Sequence, residues 1–323
     1  NTALGCVTCS LIQSSSDKRP PRQHKMTPTE TELTEFPCPI CNSTEHRVLY
    51  PDTLGSQLPE FGYDFSPRHS DHYRVVRCRH CRHAYCSPRS VDLHRSYVDV
   101  EDREYLKNEA QRVATARKVL EVIRRFKSAG RLLDVGCAPG DFLDVAKQYY
   151  EAEGLELSQW SARIAMQSGH IIHTCRLSEL QPPVSYAIIT MWGVIEHFEF
   201  PAVEITEIHR LLKDKGIVCL WTGNIDSLPS RLLGAKWWYI QGQHIQFFSR
   251  ESLDKLFQDH GFTRLYLGRY PYIMSLPSVA KSLARYPFLG VIAQGLFGRQ
   301  KFENLRITFR LPGELFAIFQ KRC

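Results

Sequence analysis

The stretch Leu132-Leu133-Asp134-Val135-Gly136-Cys137-Ala138-Pro139-Gly140-Asp141-Phe142-Leu143 decides the fold. It begins as an apolar strand ending at Asp134-Val135 and turns through Gly136 and Gly140 into the helical run DFLDVAKQYY. Glycine permits positive φ and lets a ligand approach the backbone closely. A helix N-terminus offers free N–H groups, here to a carboxylate. Glu156 follows Gly136 by 20 residues, at the end of the next strand. At that spacing a carboxylate meets ribose hydroxyls. A nicotinamide turn needs glycine at 138 and 141, where this chain has Ala138 and Asp141, and the lysine-ending P-loop pattern is absent.

Downstream of the loop, strand and helix alternate. AEGLELS, HIIHTC, YAIITMW and GIVCLWTG read as strands, SQWSARIAMQSG and PAVEITEIHRLLKD as helices, the second ending near Gly216. Ser249 caps a further helix that stops at Gly261, and FTRLYLGRY and ELFAIFQK supply two terminal strands. Single helices between strands imply βαβ units and a mostly parallel sheet. Upstream, Glu101 to Phe126 has helical periodicity, with Leu106, Val113, Ala116, Val119, Leu120 and Ile123 on one face.

The segment before that helix has another character. Cys38-Pro-Ile-Cys41 and Cys78-Arg-His-Cys81 are two CxxC pairs 36 residues apart, the arrangement for tetrahedral thiolate coordination of Zn2+. Glycine often follows such a pair; here Asn42 and Arg82 do. His80, His83 and Cys86 compete for a ligand position. The expected organisation is an extension over 1–36, a zinc-ribbon module over 37–90, a linker and helix over 91–130, and a cofactor-binding domain over 131–323 carrying a basic, apolar insertion at about 274–302.

Composition is that of a globular protein: 323 residues, 43% hydrophobic, 23% charged and a net charge of +7. That charge favours anionic ligands only weakly. The eleven cysteines, several inside apolar runs (Cys137, Cys175, Cys219), suit a reducing, cytoplasmic setting better than a disulfide framework. Tyr286 to Phe297 is the longest apolar stretch and is too short to span a bilayer. No signal peptide is evident; Met26 reads as a possible start, and the Cys6–Cys9 pair lies in a low-complexity stretch.

LLDVGCAPGDFL, GLELS and TMWGVIEHF, in this order, resemble the motifs of class I S-adenosylmethionine-dependent methyltransferases, nearest the bacterial group with an N-terminal zinc ribbon that acts on sugars or other small molecules. The resemblance spans about residues 37–323. It implies a doubly wound α/β fold with a mostly parallel seven-stranded sheet. It also implies that Asp134, Gly136, Cys137 and Gly140 line the methionine part of S-adenosylmethionine, that Glu156 and Leu157 meet its ribose, and that Met191 and Trp192 flank it. Tyr186-Ala187 stands where the family carries an aspartate before the fourth strand.

Methyl transfer from a sulfonium needs positioning, exclusion of water and, for a hydroxyl or carbon acid, a base. Glu196-His197 follows the fourth strand, at the end of the sheet where ligands bind, and His197 is the candidate base. The alternative is that Glu196 orients the loop and His197 packs or bonds to backbone. His244 is a second candidate, and Trp237, Trp238 and Tyr239 form either a substrate wall or core. The expected acceptor is a small molecule, a nucleotide-linked sugar or a cell-surface or secondary-metabolite precursor.

Lys281, Arg285, Arg299 and Lys301 in the insertion suit either an acceptor cover, with peripheral membrane contact, or a plain helical insertion. An RNA methyltransferase is the less favoured alternative. Arg74, Arg77, Arg79, Arg82 and Arg89 offer it a basic patch, but the Asn/Asp-Pro-Pro-aromatic and Pro-Cys motifs of base methylation are missing. A non-enzymatic binding module is disfavoured by the intact Asp134, Gly136, Gly140 and Glu156. Oligomeric state is not legible in the sequence.

Overall fold

The computed structural model describes residues 33–55, 57–61, 70–182, 185–283, 291, 295 and 306–323. Met26, the Cys6–Cys9 pair, most of the expected extension and most of the 274–302 insertion, including the side chains of Lys281, Arg285, Arg299 and Lys301, lie outside the described residues.

The N-terminal part contributes β1 (His46–Tyr50), β2 (Val75–Cys78) and β3 (Ala84–Cys86). Short helices α1 (Arg95–Val98) and α2 (Arg103–Leu106) lead into α3 (Glu109–Ile123). The helix expected over Glu101 to Phe126 is therefore broken at Lys107-Asn108. Asp102 accepts the Tyr105 N–H at 2.8 Å, and Asn108 precedes α3 with non-helical torsions. Short polar side chains that bond the nearby backbone compete with helix continuation.

Next come β4 (Arg131–Val135), α4 (Asp141–Ala146), β5 (Glu151–Leu155), α5 (Gln159–Gln167), β6 (Ile171–His173), β7 (Tyr186–Trp192), α6 (Pro201–Leu211), β8 (Leu212–Gly223) and α7 (Leu228–Leu233). They are followed by β9 (Gln246–Phe247), α8 (Arg250–Asp259), β10 (Phe262–Gly268), β11 (Tyr272–Ser275), α9 (Leu276–Leu283), β12 (Arg306–Phe309) and β13 (Glu314–Lys321). α6 ends earlier than its apolar period suggests: Leu212 turns extended at ψ 139° and pairs with Tyr186, so Leu212–Lys215 belong to β8.

The main sheet has seven strands in the order β10-β13-β8-β7-β4-β5-β6. β13 runs against both its neighbours, while β8, β7, β4, β5 and β6 are mutually parallel. This is a doubly wound sheet. Leu133, Val135, Ile189 and Met191 face α6 and α8 on one side; Leu132, Ile188, Ile217 and Cys219 face α3 and α4 on the other. Cys137, Cys175 and Cys219 are buried and act as small apolar side chains.

The N-terminal strands are not a detached module. Their sheet runs β1-β2-β3-β9, so a strand from the far side of the chain completes it. Val75, Ala84 and Leu54 share one core with Ile225, Trp237, Tyr239 and Phe247. That shared core binds the cysteine-bearing strands to the segment that carries His244.

Candidate active site and cofactor loop

The turn after β4 adopts the backbone its glycines permit. Gly136 has φ +68°, and a Cβ there would come within 2.7 Å of Val194 Cγ2. Gly140, at φ +99°, opens α4, and a Cβ there would meet His170 Cδ2 at 2.8 Å. Ala138, which takes a position that would suit glycine, is itself left-handed at φ 51°. Beneath the turn Asp134 is buried and accepts from Thr190 Oγ1 at 2.6 Å. Burial pushes its carboxyl up to about 8.

Glu156, just past β5, faces this turn. Its two oxygens accept from the Ala138 N–H at 2.9 Å and the Ser158 N–H at 2.7 Å. Burial raises its pKa against those bonds. Leu157 lies half-buried beside it. Of the two residues expected to flank a ligand, Trp192 is half-buried and packs on Phe142 and Tyr270, with ring centroids 5.1 and 5.7 Å away. Met191 instead points into the core with 0% exposure, because residues one apart on a strand take opposite faces.

Residues 97–105 lie over this turn. Ser158 Oγ donates to the Val100 carbonyl at 2.8 Å, and Arg112 pairs with Asp141 while its guanidinium rests 3.6 Å above the Tyr105 ring. The cavity left between Tyr97, Tyr105, Ala138, Glu156 and Trp160 is about 30 Å³. That holds about one water, less than a nucleoside needs in this conformation. Periodicity gave no sign of this cover.

Glu196, His197 and His244 converge, each placing one ligand-type atom within 4.8 Å of the others. Glu196 is buried and accepts from Thr222 Oγ1 at 3.0 Å; Thr222 in turn lies 2.8 Å from the Tyr239 hydroxyl. Burial, opposed by these hydroxyls, pushes Glu196 up to about 7. His197 Nδ1 lies 2.9 Å from the Gln243 carbonyl and 2.7 Å from the Tyr97 hydroxyl. A carbonyl oxygen can only accept, so Nδ1 carries the proton and Nε2 keeps a lone pair. Burial depresses His197 to about 4, against the Gln243 and Gly193 backbone. The ring is neutral at physiological pH.

His244 packs edge-on to His197 at 4.8 Å. Its Nδ1 donates to the Tyr239 carbonyl at 2.8 Å and its Nε2 accepts from the Gln241 amide at 2.9 Å. Both nitrogens are thus engaged, and His244 buttresses His197 more readily than it takes a proton. Trp237 and Tyr239 are core residues, 1% and 0% exposed, so neither offers a wall to substrate in this conformation. Tyr97, Thr222 and Gln243 are the site residues that sequence reasoning missed; only their positions in the fold mark them.

Cys38, Cys41, Cys78 and Cys81 bring their sulfurs within 4.8 Å of one another, with Cys38–Cys81 at 3.4 Å and Cys41–Cys78 at 3.5 Å. Tetrahedral zinc, with Zn–S bonds of about 2.3 Å, needs sulfurs roughly 3.8 Å apart. Backbone amides support the sulfurs: those of Ile40 and Cys41 at Cys38, Ser43 at Cys41 and His83 at Cys81. Asn42 and Arg82 are left-handed at φ 60° and 62°, the turn that glycine often makes. The donor set fits Zn2+. His83 and Cys86 are buried in other contacts and His80 is exposed beside Glu45, so none of the three displaces a cysteine from the quartet.

Among the described residues, no helix is long and apolar enough to cross a membrane. No protein of curated function matches the chain. Solved structures similar to it include an S-adenosylmethionine-dependent methyltransferase from Archaeoglobus fulgidus, at 18% identity over 68% of this chain and 100% of that one, with a TM-score of 0.47. A possible histamine N-methyltransferase from Thermotoga maritima has 18% identity over 68% and 95%, with a TM-score of 0.44. Magnesium protoporphyrin IX methyltransferase from Synechocystis, solved with S-adenosylmethionine, has 13% identity over 71% and 89%, with a TM-score of 0.42. At this similarity they carry no information about the acceptor. The family described as "Methyltransferase domain" matches residues 104–267, half of the chain. With that match added to the glycine turn and its facing carboxylate, the chain belongs to the methyltransferase-domain family and is an S-adenosylmethionine-dependent methyltransferase.

Proposed function

We propose that the chain methylates a small-molecule acceptor, a nucleotide-linked sugar or another cell-surface or secondary-metabolite precursor, with His197 as the base. The observation that carries this reading is the Glu196–His197–His244 cluster at the end of the sheet beside the cofactor turn. S-adenosylmethionine supplies an activated methyl group. Gly136, Cys137, Gly140 and Asp134 would hold its methionine end, Glu156 and Leu157 its ribose, and Trp192 its flank.

Held there, the cofactor would supply its methyl group to the acceptor's nucleophilic atom, with the S–CH3 electron pair remaining on sulfur. The proton of the acceptor passes to His197 Nε2. A proton there is stabilised by the Gln243 carbonyl on Nδ1 and by the Glu196 carboxylate nearby. In the conformation seen here the Tyr97 hydroxyl also meets the ring, at 2.7 Å from Nδ1. In the same reading the four cysteines hold one Zn2+ whose role is structural.

The RNA alternative loses support from the arginines. Arg77 pairs with Asp226, Arg89 is buried against Glu199 and Arg74 is tied to Glu35, which leaves Arg79 and Arg82 exposed. Two exposed arginines beside a cysteine knuckle do not make a phosphate-tracking surface. A labelled-methyl screen over nucleotide sugars, phenols and RNA tests the proposal. Label in a small molecule supports it; label in RNA alone rejects it.

A further inference from the structure

A second concavity lies on the α3 face of the sheet, away from the cofactor turn. It measures about 160 Å³ and is bounded by α3, by the chain leaving β10 and by the end of β12. Its lining is unusual in charge. Lys118, Arg125, Arg269 and Arg310 bring four cations, and Glu121 is the one carboxylate in the wall. Glu121 already accepts from Lys118 at 3.0 Å. Among the described residues Arg125, Arg269 and Arg310 have no acidic partner, and all three are exposed at the rim.

The floor is aromatic. Tyr266 and Phe316 form it, and Thr308 adds a hydroxyl at the edge. Phe316 is fully buried, and its ring meets Tyr266 at 5.5 Å, Tyr270 at 5.9 Å and Trp192 at 6.0 Å. One row of rings therefore runs from this concavity to Trp192 beside the cofactor turn.

Like charges gathered around a cavity repel one another unless an anion joins them. Guanidinium groups are weakly hydrated and bind phosphate oxygens in a bidentate fork. The volume, about 160 Å³, is several times the ~30 Å³ share of one water, room enough for a phosphoryl group. We propose that the cleft bounded by Arg125, Arg269 and Arg310 is a binding site for a phosphate-bearing ligand. Two sources share that chemistry: a soluble phosphorylated molecule, and the phosphate headgroup of an anionic lipid. This inference stands on the cleft alone and does not depend on the acceptor or on His197.

The test uses the full chain and two probes, inorganic pyrophosphate by calorimetry and phosphatidylglycerol vesicles by co-sedimentation, with phosphatidylcholine vesicles as control. Arg269→Gln/Arg310→Gln changes two exposed side chains, and an unchanged far-UV spectrum and Tm verify its fold. Charge-assisted bonds of this kind predict pyrophosphate binding at least roughly tenfold weaker in the variant. Saturable pyrophosphate binding that falls by this margin establishes the site and favours a soluble ligand. Vesicle binding that needs phosphatidylglycerol, is competed by pyrophosphate and is lost in the variant assigns it to lipid. No saturable binding of either probe, or equal binding by wild type and variant, overturns the proposal.

Discussion

His83 Nε2 donates to Gln246 Oε1 at 2.9 Å, and the amide nitrogen of the same Gln246 donates to the Phe198 carbonyl at 3.0 Å. One buried side chain thus joins the residue two places past the last knuckle cysteine to the loop that carries His197. Next to it Ile245 donates to the Glu196 carbonyl and accepts from the Cys86 amide, at 3.0 and 2.9 Å. The cysteine module and the proposed reaction centre are built on one shared strand.

Replacing Gln246 with Leu strands a buried imidazole N–H and a buried carbonyl. Each such loss costs on the order of 1–3 kcal/mol, so the variant should unfold about 2–6 kcal/mol more easily. Turnover should fall further than stability alone explains, since the His197 loop loses a support. Denaturant titration beside initial-rate assays checks this; a fully stable and fully active Gln246→Leu would show that the link carries nothing.

His197→Ala should abolish turnover while S-adenosylmethionine still binds, because the ring touches Tyr97 and Gln243 and not the glycine turn. The pH dependence has a direction. Glu196, pushed up to about 7 by burial, stabilises a protonated His197 only when ionised. The rate should climb as pH rises through about 7, and Glu196→Gln should flatten that limb at a lower plateau. Wild-type rates in His197→Ala would end the base assignment; an unchanged limb in Glu196→Gln would end the role given to Glu196.

The four cysteines predict one tightly held zinc per chain in protein purified without chelator, measurable by elemental analysis. Cys38→Ser should release it and loosen β1–β3. Arg82 gives a subtler test. Its φ of 62° strains any residue with a Cβ, so Arg82→Gly should be neutral or stabilising by up to about 1 kcal/mol. Arg82→Val should destabilise, since branching at Cβ makes that region harder to enter. Metal-free protein with an unchanged melting curve would remove the zinc site; a destabilised Arg82→Gly would contradict the turn argument.

How much of this was legible follows from the range of the interactions. The strand–turn–helix at 132–143 and the carboxylate at Glu156 are local patterns, readable from period and spacing. Glu196, His197 and His244 could be placed near one another because both loops leave the same end of the sheet. The sharing of β9 was not readable: Gln246-Phe247 is two residues long, and its partner Ala84-Tyr85 lies far back in the chain. Long-range pairing leaves no local period. Tyr97 was missed for the same reason, since its role exists only once the linker folds across the loop. The motif resemblance pairs Met191 with Trp192, yet strand alternation sends them to opposite faces.

Glu314, at the start of β13, is 3% exposed, and neither of its oxygens makes a well-formed hydrogen bond among the described residues, although the Trp221 indole lies near. Burial pushes it up to about 8, with Trp221 opposing and Glu196 adding to the shift. A carboxyl whose folded pKa exceeds its unfolded value binds more protons when folded, so its contribution is present at low pH and lost as pH rises toward 8. His83 and His197, both depressed to about 4, act oppositely, but only below their unfolded value of about 6.5. Stability should therefore decline between about pH 6.5 and 8. Glu314→Gln should raise stability at pH 8 by at least about 1 kcal/mol and make the decline shallower. Melting curves at pH 6.5 and 8 decide it, and a variant that parallels wild type at both would show that Glu314 is ionised at little cost.

Glu156 tests the proposed cofactor site separately from the other features. As a carboxylate it accepts two backbone N–H groups, from Ala138 on the glycine turn and from Ser158 at the cap of α5. An ionised carboxylate has about four acceptor positions, so two remain for ribose hydroxyls. Glu156→Gln keeps the shape but turns one end into a donor, which then faces a backbone N–H. The turn is strained first, and the ribose loses its acceptors second. Affinity for S-adenosylmethionine should drop at least roughly tenfold, with the melting point lowered by only a few degrees. Glu156→Asp should recover part of the affinity if acceptance of hydrogen bonds is the requirement. Calorimetric titration of all three proteins distinguishes the outcomes: equal affinity in Glu156→Gln would place the ribose elsewhere, and a collapsed melting point would reveal a residue that holds the fold more than the ligand.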